Sequence, residues 1–437
     1  MTEYSSFAIS RMMPSQGFLR NKSVIEFLAI DSRKIVFPGS SLFFAIKGEH
    51  HNGHDFIGSL FNQGVKNFVV EKLPADHENY ENTNFYLTEN SVNALQTLCA
   101  NHRISFHYPV LGITGSNGKT IVKEWLFQLL QSEQKILRSP KSYNSQVGVP
   151  LSVWSMDESY SLAVFEAGIS QPGEMENLQR IIKPEIGLIT NIGDAHQENF
   201  SSLDEKCSEK LKLFKHSKIV IYCKDHKIID RNFTEQFQGQ KPSFTWSVNQ
   251  NSGADLIIRH IQKEQFSAEV IYAFKDQSGK FSIPFADHAS VENAIHCLVV
   301  LLFLGYDNKF AEKMMGRLEP VGMRLEIKDG INQCTIINDS YNSDIESLKI
   351  ALDLLEHQQK HARKTLILSD IFQISKNNDD LYREIAGLIN QKNLYRFIGI
   401  GQNLRDHQVF FDAHAHFYEN TDEFLGKFPI STFSKEA

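Results

Sequence analysis

The stretch Pro109-Val110-Leu111-Gly112-Ile113-Thr114-Gly115-Ser116-Asn117-Gly118-Lys119-Thr120 decides the fold. Its apolar first half predicts a buried strand, and the residues after Thr120 are apolar at the spacing of a helix. A strand, a glycine-bent loop, a Lys-Thr pair and a helix together form a cradle for phosphate groups. In such a cradle, backbone N–H groups curl round phosphate oxygens at the positive end of the helix dipole. The stretch therefore predicts a site for a nucleoside triphosphate.

The spacing of this loop departs from the strict pattern G-x-x-x-x-G-K-[ST], which requires glycine where this chain has Ile113. An ordinary glycine-rich turn would not explain why Lys and Thr follow the last glycine. Lys119 supplies a mobile cation, and the Thr120 hydroxyl can bind the Mg²⁺ that accompanies the phosphates. The predicted phosphate contacts are those of the loop, Gly115, Ser116, Asn117, Gly118, Lys119 and Thr120.

Composition excludes several classes of protein. A length of 437 residues suggests about three domains at ~150 residues each. A net charge of -7 and the lack of a long Lys/Arg run argue against a nucleic-acid binder. The five cysteines include no C-x-x-C pair, so neither a disulfide framework nor a zinc site is expected. This use of cysteine suits the reducing cytoplasm, which is the expected location. The longest apolar run, Cys297 to Leu304, is far below the ~20 residues of a membrane span and predicts a core helix.

Alternating strand and helix patterns predict three α/β domains, at residues 1–106, 107–315 and 316–437. In the second range, polar residues directly follow two predicted strands, which is where an open parallel sheet places its site. Glu166 follows one strand and His196 follows the next, so both are candidate partners for Mg²⁺ and phosphate. Lys206 and Lys210 lie in a helical stretch, where the pattern alone predicts solvated surface lysines.

Several further motifs occur in order along nearly the whole chain. They are Asp31-Ser32-Arg33, Leu42 to Gly48, Gly112 to Thr120, Tyr143-Asn144-Ser145, Glu166 to Ser170, Thr190 to His196, Lys210 to Phe214, Glu292-Asn293-Ala294, Met323 to Glu326 and Ile337 to Asn342. In this order they resemble the Mur ligases, the ATP-dependent amide-bond ligases of peptidoglycan synthesis. The resemblance implies a three-domain α/β architecture, with a central P-loop ATPase domain built on a parallel sheet and a Rossmann-like C-terminal domain.

The resemblance also implies roles for individual residues. Lys119 and the loop amides would hold the ATP phosphates, Thr120 and Glu166 would hold a Mg²⁺ ion, and His196 would help to hold a second. Lys210 matches a lysine that is carbamylated in this family, a modification that turns a cation into a carboxylate-like metal ligand. The other implied ATP contacts are Asn144 near the phosphates, Asn293 and Arg324 at the adenine and ATP, and Asp339 at the ribose.

The implied substrates follow from the branch of the family that the motifs resemble most. That branch joins D-alanyl-D-alanine to UDP-N-acetylmuramoyl-tripeptide through an acyl phosphate. The residues of the first domain that match its UDP-sugar pocket are Ser32, Arg33, Lys47 and Gly48. No nucleic-acid partner and no membrane span are expected, and a monomer is expected.

Departures from the common pattern at Ser343-Asp344-Ile345 and Ser369 to Gln373 resemble the Bacteroidetes type of this ligase, which is fused to an alanine racemase domain. We expect that domain to be missing here and the third domain to be truncated. A sister Mur ligase or a folylpolyglutamate-type ligase is an alternative enzyme. A truncated, non-catalytic module that binds ATP or a UDP-sugar is an alternative of another class. A P-loop kinase is disfavoured by the loop spacing and by the motif at Lys210.

Overall fold

The computed structural model describes residues 2–48, 51–193, 199–265, 267–275, 277–323, 326–340, 345–357, 360–371, 378–412 and 414–437, without the side chains of residues 346 and 357. Within these ranges the strands form five sheets. The two largest contain nine and five strands, and each of the five lies inside one of the three predicted domain ranges. The exact domain boundaries stay a prediction.

The N-terminal region is a five-stranded sheet covered on both faces. Its order is β2-β7-β6-β5-β4, with β4 to β7 parallel and β2 antiparallel to β7. Alternate residues of β5 pack into different clusters, Phe43 on one face and Phe44 on the other. The strands are β1 Tyr4–Ser5, β2 Gln16–Phe18, β3 Val24–Ile25, β4 Phe27–Ala29, β5 Ser41–Phe44, β6 Asn67–Val70 and β7 Asn84–Leu87, and the helices are α1 Ser6–Met12, α2 Ile57–Asn62 and α3 Ser91–Arg103.

The central region is a nine-stranded sheet in the order β16-β15-β14-β13-β12-β11-β8-β10-β9. Strands β8 to β14 all run parallel to one another. Strand β15 pairs antiparallel with β14, and β16 pairs antiparallel with β15. The strands are β8 Val110–Thr114, β9 Ile136–Arg138, β10 Leu162–Glu166, β11 Ile186–Ile189, β12 Ile219–Cys223, β13 Ser243–Ser247, β14 Leu256–Lys263, β15 Ala268–Phe274 and β16 Gln277–Ile283. The helices are α4 Lys119–Leu130, α5 Gly148–Trp154, α6 Glu174–Ile182, α7 Leu203–Leu211, α8 Lys227–Gln236, α9 His288–Phe303 and α10 Asn308–Met315.

Strand β8 lies where the order of this sheet reverses. The chain continues from β8 to β9 and β10 on one side and then crosses to β11 on the other. The carboxyl ends of β8, β10 and β11 therefore face one crevice, the usual ligand position in an open parallel sheet. Every residue of β8 is buried, which its continuous apolar sequence predicts.

The C-terminal region contains an antiparallel pair and a three-stranded parallel sheet in the order β19-β20-β21. Apolar residues of α11 and α12 form a core with β20. The strands are β17 Glu326–Asp329, β18 Thr335–Asn338, β19 Thr365–Ser369, β20 Arg396–Ile400 and β21 Ala415–Tyr418, and the helices are α11 Ile345–His357, α12 Asn378–Asn390, α13 Gln402–Asp406 and α14 Thr421–Lys427. Parallel strands alternating with helices confirm the predicted Rossmann-like type.

One packed core joins the first two regions. Helices α1 and α3 bury apolar side chains in the same cluster as α5 and α6 of the central region. At this junction the Trp154 indole donates a hydrogen bond of 2.8 Å to the backbone carbonyl of Glu26. The N-terminal sheet is therefore seated firmly against the helices of the central sheet, and any cavity between them has walls from both.

One expectation drawn from the pattern was wrong. Lys206 and Lys210 are not solvated, since they are only 1% and 3% exposed. The predicted core helix is confirmed, because α9 is buried along most of its length. Among the described helices, none has the length and apolar character needed to cross a membrane.

Candidate nucleotide-binding site and substrate cavity

Two glycines of the loop after β8 adopt backbone conformations that favour glycine. Gly115 has φ of +140° and Gly118 has φ of +84°. A Cβ atom on Gly115 would lie 2.0 Å from the Thr190 hydroxyl, and one on Gly118 would lie 2.3 Å from Oδ1 of Asn293. The loop is therefore pressed between the end of β11 and helix α9, with no room for a side chain at either glycine.

Hydrogen bonds from the segment after β11 hold this loop in shape. The backbone N–H groups of Ser116 and Asn117 donate to the carbonyl and side-chain oxygens of Asn191, at 2.8 and 2.9 Å. The Thr190 hydroxyl donates to the Asn117 carbonyl at 2.5 Å, and the Gly193 N–H donates to the Ser116 hydroxyl at 2.9 Å. The loop is thus built before any ligand arrives, which lowers the entropy cost of binding.

Lys119 is the first residue of α4, and its side chain folds back over the loop. Its ammonium group donates to the carbonyls of Gly115 and Ser116, at 2.8 and 2.9 Å. These bonds place a cation at the loop, next to the N-terminus of α4. Both features attract a phosphate anion, one through full charge and the other through the helix dipole.

Oxygen atoms suited to a divalent cation gather beside the loop. The Thr120 hydroxyl donates to Oε2 of Glu166 at 3.0 Å and lies 3.0 Å from the Ser142 hydroxyl. The side-chain amide of Asn144 lies 3.5 Å from the same carboxylate oxygen. Hydroxyl and carboxylate oxygens are the ligands that Mg²⁺ prefers. Glu166 is fully buried, so it is not a solvated surface acid.

Within the described ranges, no three His, Cys, Asp or Glu side chains are grouped to hold a metal ion by themselves. Mg²⁺ commonly keeps several waters and binds through one or two protein oxygens together with substrate phosphates. The Thr120 and Glu166 oxygens fit that pattern. The residues present therefore suit a Mg²⁺ ion that arrives with the nucleotide.

Lys123, one helical turn after Lys119, is a site residue that the sequence analysis missed. It is fully buried, and its ammonium nitrogen lies 2.8 Å from Oε1 of Glu166. It also donates to the backbone carbonyl of Ser139 at 2.7 Å and to that of Lys141. A signal was present in the helical pattern, because Lys123 falls on the buried face of α4 among Val122, Trp125, Leu126, Leu129 and Leu130.

Two further lysines approach the loop from α7. The Lys210 ammonium lies 3.2 Å from the Gly115 carbonyl, and Lys206 donates to the Gly193 carbonyl. Burial lowers the pKa of Lys210 well below its ordinary value, and the cations of Lys119 and Lys206 lower it further. A lower pKa increases the fraction of the amine that is unprotonated, and therefore nucleophilic, at a given pH. Lys210 is therefore chemically able to react with carbon dioxide.

Asn293 lies at the loop, as its contact with the Gly118 position requires. Asp339 directly follows β18 in the C-terminal region. Residues of that region reach α4, because Ile327 and Leu354 line a cavity of about 110 Å³ together with Ile121 and Trp125. His196 and Arg324, two predicted ligand contacts, lie outside the described residues.

A second ion pair lies beside Asn293. Nε2 of His226 lies 2.6 Å from Oε1 of Glu292, the residue that directly precedes Asn293 in α9. Burial alone would lower the pKa of His226, but the hydrogen bond and charge of Glu292 outweigh burial and raise that pKa. Burial likewise would raise the pKa of Glu292, but His226 holds it below its ordinary value. Both groups are therefore charged at pH values between the pKa of Glu292 and the pKa of His226.

A large cavity of about 690 Å³ lies between the first and second regions. Ser32 and Arg33 line it from the first region, and Tyr143 and Trp154 line it from the central region. Asp31 holds the Arg33 guanidinium at 2.9 Å, and this pairing keeps the pKa of Asp31 far below its ordinary value. Tyr143 precedes Asn144, so one short segment touches both the cavity and the Glu166 carboxylate beside the nucleotide loop.

Lys47 and Gly48 are not among the described residues that line this cavity, although Ile46 before them and His51 after them are. The Gly48 N–H donates to the His51 carbonyl at 2.8 Å, and Lys47 forms a bridge with Asn52. The structure thus brings Ser32 and Arg33 to the cavity and leaves Lys47 and Gly48 in the turn beside it.

Comparison with known proteins agrees with this geometry. The family described as "Mur ligase family, catalytic domain" matches residues 24–103, and "Mur ligase middle domain" matches residues 113–301. The UDP-N-acetylmuramoyl-tripeptide–D-alanyl-D-alanine ligase of Borreliella burgdorferi is 30% identical over 445 residues, covering 94% of this chain and 90% of that protein. The chain belongs to the Mur ligase family. The ligase of the same name from Bacillus subtilis is 27% identical over 385 residues, covering 87% of this chain and 81% of that protein.

The fold of this Mur ligase is also that of a solved member. A crystal structure of MurF from Acinetobacter baumannii matches with a TM-score of 0.84 and 21% identity, covering 98% of this chain and 92% of that chain. The agreement extends over all three regions of the chain. It confirms the three-domain α/β architecture that the motifs predicted.

Proposed function

We propose that this Mur ligase joins D-alanyl-D-alanine to UDP-N-acetylmuramoyl-tripeptide, with conversion of ATP to ADP and phosphate, in peptidoglycan precursor synthesis. The relatives from Borreliella and Bacillus carry the name of that activity over most of the chain. One observation of the structure carries the proposal. A phosphate loop with oxygen ligands for Mg²⁺ lies next to a 690 Å³ cavity, and Tyr143 and Asn144 connect the two.

The reaction needs two substrate sites that meet. A carboxylate is a poor electrophile, so its oxygen first attacks the γ-phosphorus of ATP and ADP leaves. The amine of D-alanyl-D-alanine then attacks the carbonyl carbon of the acyl phosphate, and phosphate leaves as the amine loses a proton. The protein must hold anions in line and neutralise their charge, and positioning of this kind is worth many orders of magnitude in rate.

The residues around the loop suit that task. Lys119 and the N-terminus of α4 would hold and neutralise the transferred phosphate. Thr120 and Glu166 would hold Mg²⁺, which when bound supplies charge stabilisation to the phosphate oxygens. For the nucleotide we propose contacts from Gly115, Ser116, Asn117, Gly118, Asn144, Asn293, Arg324 and Asp339. His196 would help to hold a second Mg²⁺ ion, and the UDP-sugar contacts would be Ser32, Arg33, Lys47 and Gly48.

Lys210 is proposed to act as a carbamate. Its burial beside the cations of Lys119 and Lys206 disfavours the protonated amine, and a carbamate would place a negative charge beside those two cations. Such a group could share in binding Mg²⁺. Mass spectrometry of the protein held in bicarbonate tests this directly, since Lys210 should gain the mass of one carbon dioxide. Loss of the modification in Lys210→Arg, with no other lysine changed, would locate it.

The experiment that tests the proposed function is phosphate release that requires ATP, UDP-N-acetylmuramoyl-tripeptide and D-alanyl-D-alanine together. We expect Lys119→Ala to lower turnover by about 10²- to 10³-fold or more, the usual effect of removing one charge-stabilising donor. Lys218→Ala is the control, because Lys218 pairs with Glu185 at the amino ends of β11 and β12, whereas the site lies at the carboxyl ends of the strands, so its loss should not alter turnover. ATP binding without phosphate release in the wild-type protein would instead favour a non-catalytic module.

A panel of acceptor substrates would separate this activity from that of a sister ligase. Action in the cytoplasm is consistent with the five free cysteines, all of them buried. The monomeric state, the Bacteroidetes type and the fusion to an alanine racemase domain are likewise predictions from the sequence. The domain ranges 1–106, 107–315 and 316–437 are proposed as the substrate, ATP-binding and C-terminal domains.

A further inference from the structure

Lys123 forms an ion pair with one oxygen of the Glu166 carboxylate. Its ammonium lies 2.8 Å from Oε1, and both side chains are fully buried. The other oxygen, Oε2, faces the Thr120 hydroxyl at 3.0 Å and the Asn144 amide at 3.5 Å. The two oxygens of one carboxylate therefore point to different partners, a fixed cation on one side and the nucleotide loop on the other.

Backbone carbonyls also hold the Lys123 ammonium in place. It donates to the Ser139 carbonyl at 2.7 Å and to the carbonyl of Lys141, a residue with φ of +50° in the left-handed region. Glu124 also lies near, at 3.1 Å, but Arg138 pairs with Glu124 at 2.8 Å and shares its charge. The ammonium cannot leave Oε1 without giving up buried hydrogen bonds, which are costly to break.

A carboxylate held in this way favours binding a metal through one oxygen, because a metal that also bound Oε1 would lie close to the Lys123 ammonium and be repelled by it. Mg²⁺ prefers nearly octahedral sites with short bonds of about 2.0–2.1 Å, whereas Ca²⁺ accepts more oxygens at about 2.3–2.6 Å, including both oxygens of one carboxylate. We propose that Lys123 restricts Glu166 to binding through Oε2 and so makes the nucleotide site selective for Mg²⁺ over Ca²⁺. The inference rests on the proposed function, because it takes Glu166 as the ligand of the metal that accompanies ATP.

The test measures ADP affinity by calorimetry in Mg²⁺ and in Ca²⁺, for the wild-type full chain and for Lys123→Met. Partners of metal-binding groups typically alter metal affinity by about 10- to 100-fold. We expect the ratio of ADP affinity in Mg²⁺ to that in Ca²⁺ to fall in Lys123→Met by a factor in this range. Lys218→Met is the control, since it also removes a lysine–glutamate pair, but at the amino ends of β11 and β12 and away from the loop, and it should keep the wild-type ratio.

Circular dichroism shows whether Lys123→Met folds, and a second variant keeps the inference testable if it does not. Lys123→Gln retains a donor for the loop carbonyls but no charge, and the ratio should fall in this variant as well. Equal weakening of ADP binding in both metals would show a structural role alone and would overturn the inference. A wild-type protein that binds ADP with no dependence on metal would instead count against the proposed function, so the two failures can be told apart.

Discussion

Gly118 and Gly173 form a matched pair that separates backbone strain from the function of the phosphate loop. Each directly precedes a helix, and their backbone angles are almost identical, φ 84° and ψ -18° for Gly118 against φ 86° and ψ -15° for Gly173. An alanine in this left-handed region costs roughly 1–2 kcal/mol. The substitutions Gly118→Ala and Gly173→Ala should therefore carry the same backbone cost.

The surroundings of the two glycines differ. A Cβ on Gly173 would meet no atom within 4 Å, whereas one on Gly118 would lie 2.3 Å from Oδ1 of Asn293. Asn293 is buried, so its side chain must leave its preferred rotamer, at about 0.5–1.5 kcal/mol. We expect a loss of unfolding free energy of roughly 1–2 kcal/mol in Gly173→Ala and roughly 1.5–3.5 kcal/mol in Gly118→Ala.

Urea unfolding measures these losses, and calorimetric titration with ADP in Mg²⁺ measures binding. ADP affinity should fall at least about tenfold in Gly118→Ala, equal to about 1.4 kcal/mol of binding free energy, because the new methyl group displaces a proposed nucleotide contact. Gly173→Ala should bind ADP as the wild type does. If the two variants lost the same stability and bound ADP equally well, the placement of Asn293 against the loop would be wrong.

Three other predictions concern different parts of the molecule. The raised pKa of His226 and the lowered pKa of Glu292 mean that their pair stabilises the fold fully between about pH 4.5 and 6.5, and less outside that window. Urea midpoints of wild type and His226→Gln from pH 4 to 9 should thus differ most inside it and converge at high pH. Gly187→Ala should lose about 1–3 kcal/mol by urea unfolding, because its Cβ would lie 2.4 Å from the buried Phe214 ring. Activity of a weakened Lys210→Ala variant should recover with a short-chain carboxylate, and failure of both this rescue and carbamate detection would argue against the carbamate.

The parallel strands and the phosphate loop could be predicted because their signals are local. The buried strand at Val110–Thr114 shows as a continuous apolar run, and the loop shows as glycines at fixed offsets before Lys119. Backbone conformation at such positions depends mainly on the residues themselves. The same holds for the strands at Leu162–Glu166 and Ile186–Ile189, which end where the site begins.

The surroundings of the lysines could not be predicted in this way. Lys123, Lys206 and Lys210 all lie on helices, where a lysine is usually solvated, yet all three are buried at the loop. Their partners come from distant segments: Glu166 ends β10, and the carbonyls of Gly115 and Gly193 belong to two different loops. Helical periodicity shows which side of a helix is buried, but it does not show what lies opposite.

By itself, then, the sequence determined a phosphate loop at the end of a parallel strand and, through its motifs, the Mur ligase family. Only the tertiary structure decided that Lys123 pairs with the carboxylate of Glu166, that Lys210 is buried beside two other cations, and that Ser32 and Tyr143 line one cavity. The physical reason is that charge, solvation and cavity shape depend on which segments meet in space. Those meetings are set by sheet order and by the packing of remote helices, which short-range patterns do not encode.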